Sequence, residues 1–146
     1  MRTLTNYILL VFVLGSLFTF AQPVAAQETV TVQIRSIAAS TKGESFDSRL
    51  NDLKRNLERG FAGYTSFEQV AVNSFSLSEK GSNSVDLPNG STLTMTFHGK
   101  AGQFINLGLA IGDRLNTTLR ATPGSTFFQA GLNYRDGILI LAITVK

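Results

Sequence analysis

The C-terminal segment constrains the fold more than any other part of the chain. Residues 137–145 (GILILAITV) are apolar on both of the faces that a strand presents alternately. A strand with one face in water carries polar residues at every second position, so this segment is predicted to be a strand covered on both sides. One face carries Ile138, Ile140 and Ala142, and the other carries Leu139, Leu141, Ile143 and Val145.

A hairpin is predicted immediately before this strand. Asp136-Gly137 is typical of a tight turn, because glycine accepts the positive φ that such turns need. The partner strand is predicted at residues 126–133.

Residues 1–26 have the pattern of a signal peptide. Arg2 is followed by an apolar run over residues 8–20, and Val24-Ala25-Ala26 supplies the small residues that a signal peptidase reads. Because the run is short for a membrane span, cleavage after Ala26 is predicted, with an uncleaved anchor as the alternative. Residues 27–146 would then form a single β-rich domain, periplasmic or secreted, with no integral membrane span.

Most of the mature chain alternates between apolar and polar residues over short segments. Such segments, separated by turns rich in Gly, Asn and Asp, are typical of a β-sandwich or a small barrel. Strands are predicted at residues 29–37, 64–78, 85–87, 91–98, 103–111 and 114–121.

One helix is predicted, over residues 45–59. Its apolar residues, Phe46, Leu50, Leu53 and Leu57, are spaced 4, 3 and 4 apart and form one narrow stripe, which suits a helix lying on a sheet. Ser45 is the predicted N-cap, and Gly60 the residue that ends the helix. The predicted fold is mainly β: an antiparallel β-sandwich with one N-terminal helix packed on a sheet. A β-rich α+β roll is the alternative.

The residue content disfavours most catalytic and metal chemistry. The chain has no cysteine and one histidine, His98, which lies on the threonine face of a predicted strand and is expected to face solvent. No strained Gly-x-Ser-x-Gly turn is present. The sequence therefore predicts a non-enzyme without catalytic, cofactor-binding or metal-binding residues. A pair of carboxylates from distant strands is the alternative, since a hydrolase can use two such groups.

Charge and aromatic content bear on the partner. The net charge of +3 is small and scattered, which argues against nucleic acid. Phe61, Tyr64 and Phe67 follow the predicted helix within seven positions, and exposed aromatic side chains are typical anchors for a protein partner. These three residues are the predicted partner-binding site; the alternative is that Phe61 and Phe67 belong to the core.

Several short motifs resemble small uncharacterised exported proteins of Gram-negative bacteria. They are IRSIAAS at residues 34–40, LPNG at 87–90, and QAGLNY at 129–134 leading into GILIL at 137–141. The resemblance implies an envelope protein of one such family.

The function predicted from these features is a non-catalytic exported protein-binding or structural module of the cell envelope. Its expected partner is another envelope or secreted protein, and no oligomeric state is specified. Two alternatives stay open: a small carboxylate-dependent hydrolase, and an enzyme inhibitor that presents a loop.

Overall fold

The computed structural model describes residues 20–146, which are mainly β as predicted. Residues 1–19, and with them most of the predicted apolar run of the signal peptide, lie outside the described residues. The strands are β1 (Thr29–Ser40), β2 (Ser45–Phe46), β3 (Ser66–Ser78), β4 (Ser82–Asp86), β5 (Thr92–Ala101), β6 (Phe104–Ile111), β7 (Leu115–Ala121), β8 (Thr126–Tyr134) and β9 (Gly137–Val145). A 3-10 helix (Ser48–Leu53) runs directly into helix α1 (Lys54–Gly60).

The strands form two sheets. The first has the order β2-β3-β1-β9-β8, and the second has the order β4-β5-β6-β7. All neighbouring pairs are antiparallel except β2 and β3, which are parallel. Side chains from both sheets meet in one buried apolar cluster, so the architecture is the predicted sandwich.

The C-terminal strand β9 is covered on both faces, which confirms the prediction. It lies between β1 and β8, and β8 is the predicted hairpin partner. Leu139, Leu141 and Ile143 face the second sheet, whereas Ile140 and Ala142 face the helical segment. The first sheet therefore has a core on each side, and β9 contributes to both.

A bulge lets β3 serve both cores. Ile37 of β1 pairs with Gln69 of β3, but Ser36 pairs with Ala71, so Val70 is an extra residue. An extra residue shifts the side-chain alternation by one. As a result Phe67 packs under the helical segment, while Leu77 packs between the sheets.

The helical segment spans residues 48–60, close to the predicted 45–59, but its form differs from the prediction. It follows β1 and β2 and so is not N-terminal, and its first six residues form a 3-10 helix. Ser45 is not the N-cap, because Ser45 and Phe46 pair with β3 as a short strand. Asp47 is the N-cap, and its side chain accepts a hydrogen bond from the backbone N–H of Arg49 at 3.0 Å. Gly60 is the last residue of α1, as expected within one position.

The β8–β9 turn also differs in detail. Tyr134 pairs with Gly137, so Arg135 and Asp136 form the turn, and the positive φ of 51° belongs to Arg135. Gly137 is required for another reason: a Cβ at this position would collide with the carbonyl oxygen of Ala39 on β1. The glycine therefore allows two backbones to approach closely.

Among residues 20–146, no helix is both long and apolar enough to cross a membrane.

Candidate partner-binding site

The three aromatic residues predicted as a partner-binding site occupy different environments. Phe67 is only 3% exposed and packs in the core beneath the helical segment. Phe61 and Tyr64 are half-buried and pack at the margin of the same core. Of the three predicted residues, Tyr64 alone is both partly exposed and part of the lining of a surface hollow.

Tyr64 and Phe67 line an open hollow of about 330 Å³ at one end of the helical segment. Its walls come from the segment before β2, from β2 itself, from α1 and from the start of β3. The lining residues are Glu44, Ser45, Phe46, Glu58, Tyr64, Thr65 and Phe67.

Phe61 does not line this hollow. Its ring packs edge-on against Phe128 of β8, with centroids 6.3 Å apart and an interplanar angle of 68°. Its backbone N–H donates to the Leu57 carbonyl and closes the last turn of α1. Phe61 thus anchors the end of the helix to the sheet, and the structure separates it from Tyr64 and Phe67.

Phe46 takes its place as the third aromatic residue of the hollow. Parallel pairing of β2 with β3 sets Phe46 beside Phe67, with ring centroids 5.8 Å apart. The sequence interpretation assigned Phe46 to the apolar stripe of a helix. Its spacing from Leu50 fits that stripe, and no local signal distinguishes the strand from the helix at this position.

Backbone hydrogen bonds fix the rim of the hollow. The N–H of Tyr64 donates to the Phe61 carbonyl at 3.0 Å, and that of Thr65 donates to the Ser40 carbonyl at 3.0 Å. The Thr65 hydroxyl also donates to the Gly43 carbonyl at 2.6 Å, which joins the two loops that border the hollow. These bonds hold the Tyr64 backbone in one place without enclosing its ring.

A charged network holds the helical segment against the sheet. Asp47 accepts hydrogen bonds from the Arg49 guanidinium at 2.6 Å and from the Gln69 backbone at 3.0 Å. These hydrogen bonds, those of Arg49 first, hold the pKa of Asp47 well below its usual range. A hydrogen bond from Arg35 lowers the pKa of Asp52 in the same way. Both carboxylates therefore stay ionised at neutral pH.

The charges at the hollow itself are negative. Glu44 and Glu58 line it, and none of its lining residues is basic. Lys54 lies beside it: its ammonium nitrogen is 3.9 Å from a carboxylate oxygen of Glu58 and 5.1 Å from the centroid of the Phe46 ring.

A second hollow of about 560 Å³ lies along the helical surface. It is lined by Asn51, Lys54, Arg55, Glu58 and Arg59. All five side chains are polar or charged, and they come from one continuous helical segment. No apolar side chain lines this hollow, and several elements do not converge on it as they commonly do at a binding site.

The remaining predictions concern chemistry. His98 is exposed on the outer face of the second sheet, as expected. Within the described part of the chain, no three His, Cys, Asp or Glu side chains are placed to hold a metal ion.

Comparison with known proteins found no match: no family model, no curated protein and no solved structure matches the chain.

Proposed function

We propose that the protein is a non-catalytic exported module of the cell envelope that binds another protein through the hollow beside α1. The observation that carries this proposal is the half-buried Tyr64 in a hollow walled by Phe46 and Phe67. Tyrosine presents a large apolar ring with a polar tip, which suits a surface that is wet when free and dry when bound.

The size of the hollow supports recognition of a side chain rather than a large ligand. Its volume of about 330 Å³ lies at the lower end of the range for small-molecule sites, about 300–1,000 Å³. Protein partners commonly insert one or two anchor side chains into hollows of this kind, and the surrounding contacts exclude water.

The rigidity of its frame supports the same proposal. Phe46 and Phe67 are held by strand pairing, and Thr65 is held by two hydrogen bonds. A preformed site loses little conformational entropy on binding, so a small contact area gives more affinity.

Export to the periplasm or the medium rests on the signal-peptide pattern and the resemblance to exported proteins. One structural feature supports the proposed cleavage after Ala26. Residues 20–26 are exposed and form neither helix nor strand. Gln27 and Glu28 are hydrogen-bonded to the domain: the Gln27 side chain donates to the Glu79 carbonyl at 3.5 Å, and the Glu28 carbonyl accepts from the Glu79 N–H at 3.0 Å.

The experiment is affinity capture from an envelope extract with the mature protein, followed by binding measurements with the purified partner. Tyr64→Ala is expected to weaken binding by at least about tenfold, a typical loss for an aromatic anchor, while the variant stays folded and loses no more stability than the control variant. Tyr134→Ala is the matched control, since Tyr134 is also half-buried but lies on β8 against Arg135. Equal binding by wild type and Tyr64→Ala would contradict the proposal.

A second candidate is the carboxylate-dependent hydrolase, favoured by one observation. Glu44 and Glu58 line the same hollow, and two-carboxylate glycosidases place an acid and a base or nucleophile on opposite sides of the scissile bond. Hydrolysis of a panel of aryl glycosides tests it. Activity that is lost in both Glu44→Gln and Glu58→Gln would favour the hydrolase over the binding module.

A further inference from the structure

We propose that the hollow lined by Phe46, Tyr64 and Phe67 receives a basic side chain, lysine or arginine, of the partner protein. This inference rests on the proposed function and specifies the chemistry of the group that the site recognises. Three features carry it: the sign of the charge in the hollow, its aromatic walls, and a lysine of this chain that already occupies its edge.

The first feature is local charge of the opposite sign to the whole protein. The chain carries a net charge of +3, yet the hollow is lined by two carboxylates and by no basic residue. Charge complementarity across an interface selects the partner and disfavours groups of the wrong sign. An anionic group entering this hollow would be repelled by Glu44 and Glu58.

The second feature is the aromatic lining of the same hollow. An aromatic ring presents its negative face to a cation within about 6 Å of its centroid, and the attraction grows as water is excluded. Phe67 is only 3% exposed and packs against Phe46 at an interplanar angle of 54°, so the half-buried Phe46 and Tyr64 supply the aromatic surface that a cation can reach. The aliphatic stem of a lysine or arginine also packs well on such rings.

The third feature is Lys54, which shows that this chemistry attracts an ammonium group. Its nitrogen lies 5.1 Å from the Phe46 centroid and 3.9 Å from Glu58. The two side chains of this ion pair are 51% and 55% exposed, so water screens the pair and its contribution is small. Lys54 is therefore a weak internal competitor that an incoming cation can displace.

The neighbouring hollow provides an internal contrast. It shares Glu58 but is also lined by Lys54, Arg55 and Arg59, and it has no aromatic lining residue. A cation is repelled there and attracted to the aromatic hollow only a short distance away. A cationic ligand is therefore expected to bind in the hollow at Tyr64 and not in the hollow along α1.

The test uses n-butylammonium chloride as a probe for the lysine side chain, with 1-pentanol as the uncharged probe of similar length. Each is titrated into the isotope-labelled mature protein, and the resonances of Phe46, Tyr64 and Phe67 are followed by NMR. A dissociation constant on the order of 1–10 mM is expected for so small a ligand. Pentanol should bind at least about fivefold more weakly, because it lacks the charge.

Three variants assign the effect to the hollow. Glu58→Gln should weaken butylammonium binding by about two- to fivefold, the range for one exposed ion pair. Lys54→Met should strengthen it by a similar factor, because it removes the competing ammonium while keeping most of the length of the side chain. Glu79→Gln is the matched control: this exposed glutamate follows the far end of β3, and its loss should leave binding unchanged.

The outcomes separate this inference from the proposed function. Equal binding of pentanol and butylammonium, or weaker binding in Lys54→Met at an unchanged melting temperature, would overturn the cation inference. The partner-binding hollow would then stand, as long as Tyr64→Ala still loses the captured partner. Selective binding of butylammonium at Tyr64, combined with partner capture that does not depend on Tyr64, would instead support the cation site and contradict the proposed function.

Discussion

Arg35 on β1 holds Asp52 of the 3-10 helix with two hydrogen bonds, at 2.7 Å to Oδ2 and 3.1 Å to Oδ1. The same guanidinium donates to the Arg49 carbonyl at 2.6 Å and to the Gln69 side chain at 3.0 Å. Arg35 is thereby nearly buried, with 12% of its side chain exposed, on the face of the first sheet that the helical segment covers. One planar side chain thus joins a central strand, the 3-10 helix and β3.

Stability is expected to fall at acid pH because of the two carboxylates in this network. Asp47 and Asp52 have pKa values below their ordinary value of 3.8, since arginine hydrogen bonds favour the ionised forms. The folded protein therefore binds protons less tightly than the unfolded chain. The stabilisation is present above pH 3.8 and is lost as pH falls through and below that value.

Urea midpoints at about pH 7, 4 and 2.5 measure this dependence. The double variant Asp47→Asn with Asp52→Asn should be less stable at neutral pH and should lose less on acidification. Asp113→Asn, in the exposed turn after β6, is the control and should follow the wild type. An equally steep decline in the double variant would contradict the assignment.

Leu141→Ala should cost about 2–5 kcal/mol of unfolding free energy. Leu141 is fully buried between the two sheets, so truncation leaves a cavity in the larger core. His98→Ala should change stability by less than about 0.5 kcal/mol, because His98 is exposed. Guanidinium denaturation of both variants decides the matter, and similar shifts would argue against the two-sided burial of β9.

Gly137→Ala should destabilise the protein by at least about 1–3 kcal/mol, the range for overpacking a rigid site. Its new methyl group would collide with the backbone of Ala39, which cannot rotate away as a side chain can. Gly60→Ala is the matched control, since nothing lies within 4 Å of a Cβ there and its φ is not positive. Because Gly60 ends a helix, that change should be neutral or slightly stabilising. A melting temperature unchanged in Gly137→Ala would refute the close contact between β9 and β1.

Exported protein should begin at Gln27. Intact-mass analysis of protein recovered from the periplasm or medium measures this directly. Ala26→Tyr should block processing, because a large residue at the cleavage site does not fit the peptidase pattern. Glu28→Gln is the control, because Glu28 is exposed and lies outside the cleavage pattern. A mass that includes residues 1–26 in the exported wild type would refute the prediction.

The strands were predictable because their signal is local. Alternation with a period of two assigns each residue to a face before any partner is known, and it placed β9, β6 and most of β5 correctly. The double-sided apolar pattern of β9 also predicted that the sheet is covered on both sides, since no soluble strand leaves such a pattern in water. The exposed position of His98 followed from the same reasoning.

The residues that line the hollow could not be predicted from the sequence, because tertiary contacts determine which side chains meet there. Phe46 has helical spacing from Leu50, but pairing with Phe67 places it in a strand, so two residues distant in the sequence determine its role. Phe61 and Tyr64 are three residues apart, yet Phe61 packs against Phe128 of β8 whereas Tyr64 lines the hollow.

Gly137 shows most directly which features follow from the local sequence and which depend on the tertiary structure. The sequence by itself determined that a turn precedes β9, because the Asp-Gly pair and the strand pattern are local properties. Only the tertiary structure decided that the positive φ belongs to Arg135 and that the glycine is needed against Ala39. The distance between the backbones of β1 and β9 depends on how the whole sheet packs. The residues next to Gly137 in the sequence therefore do not indicate that the two backbones approach so closely.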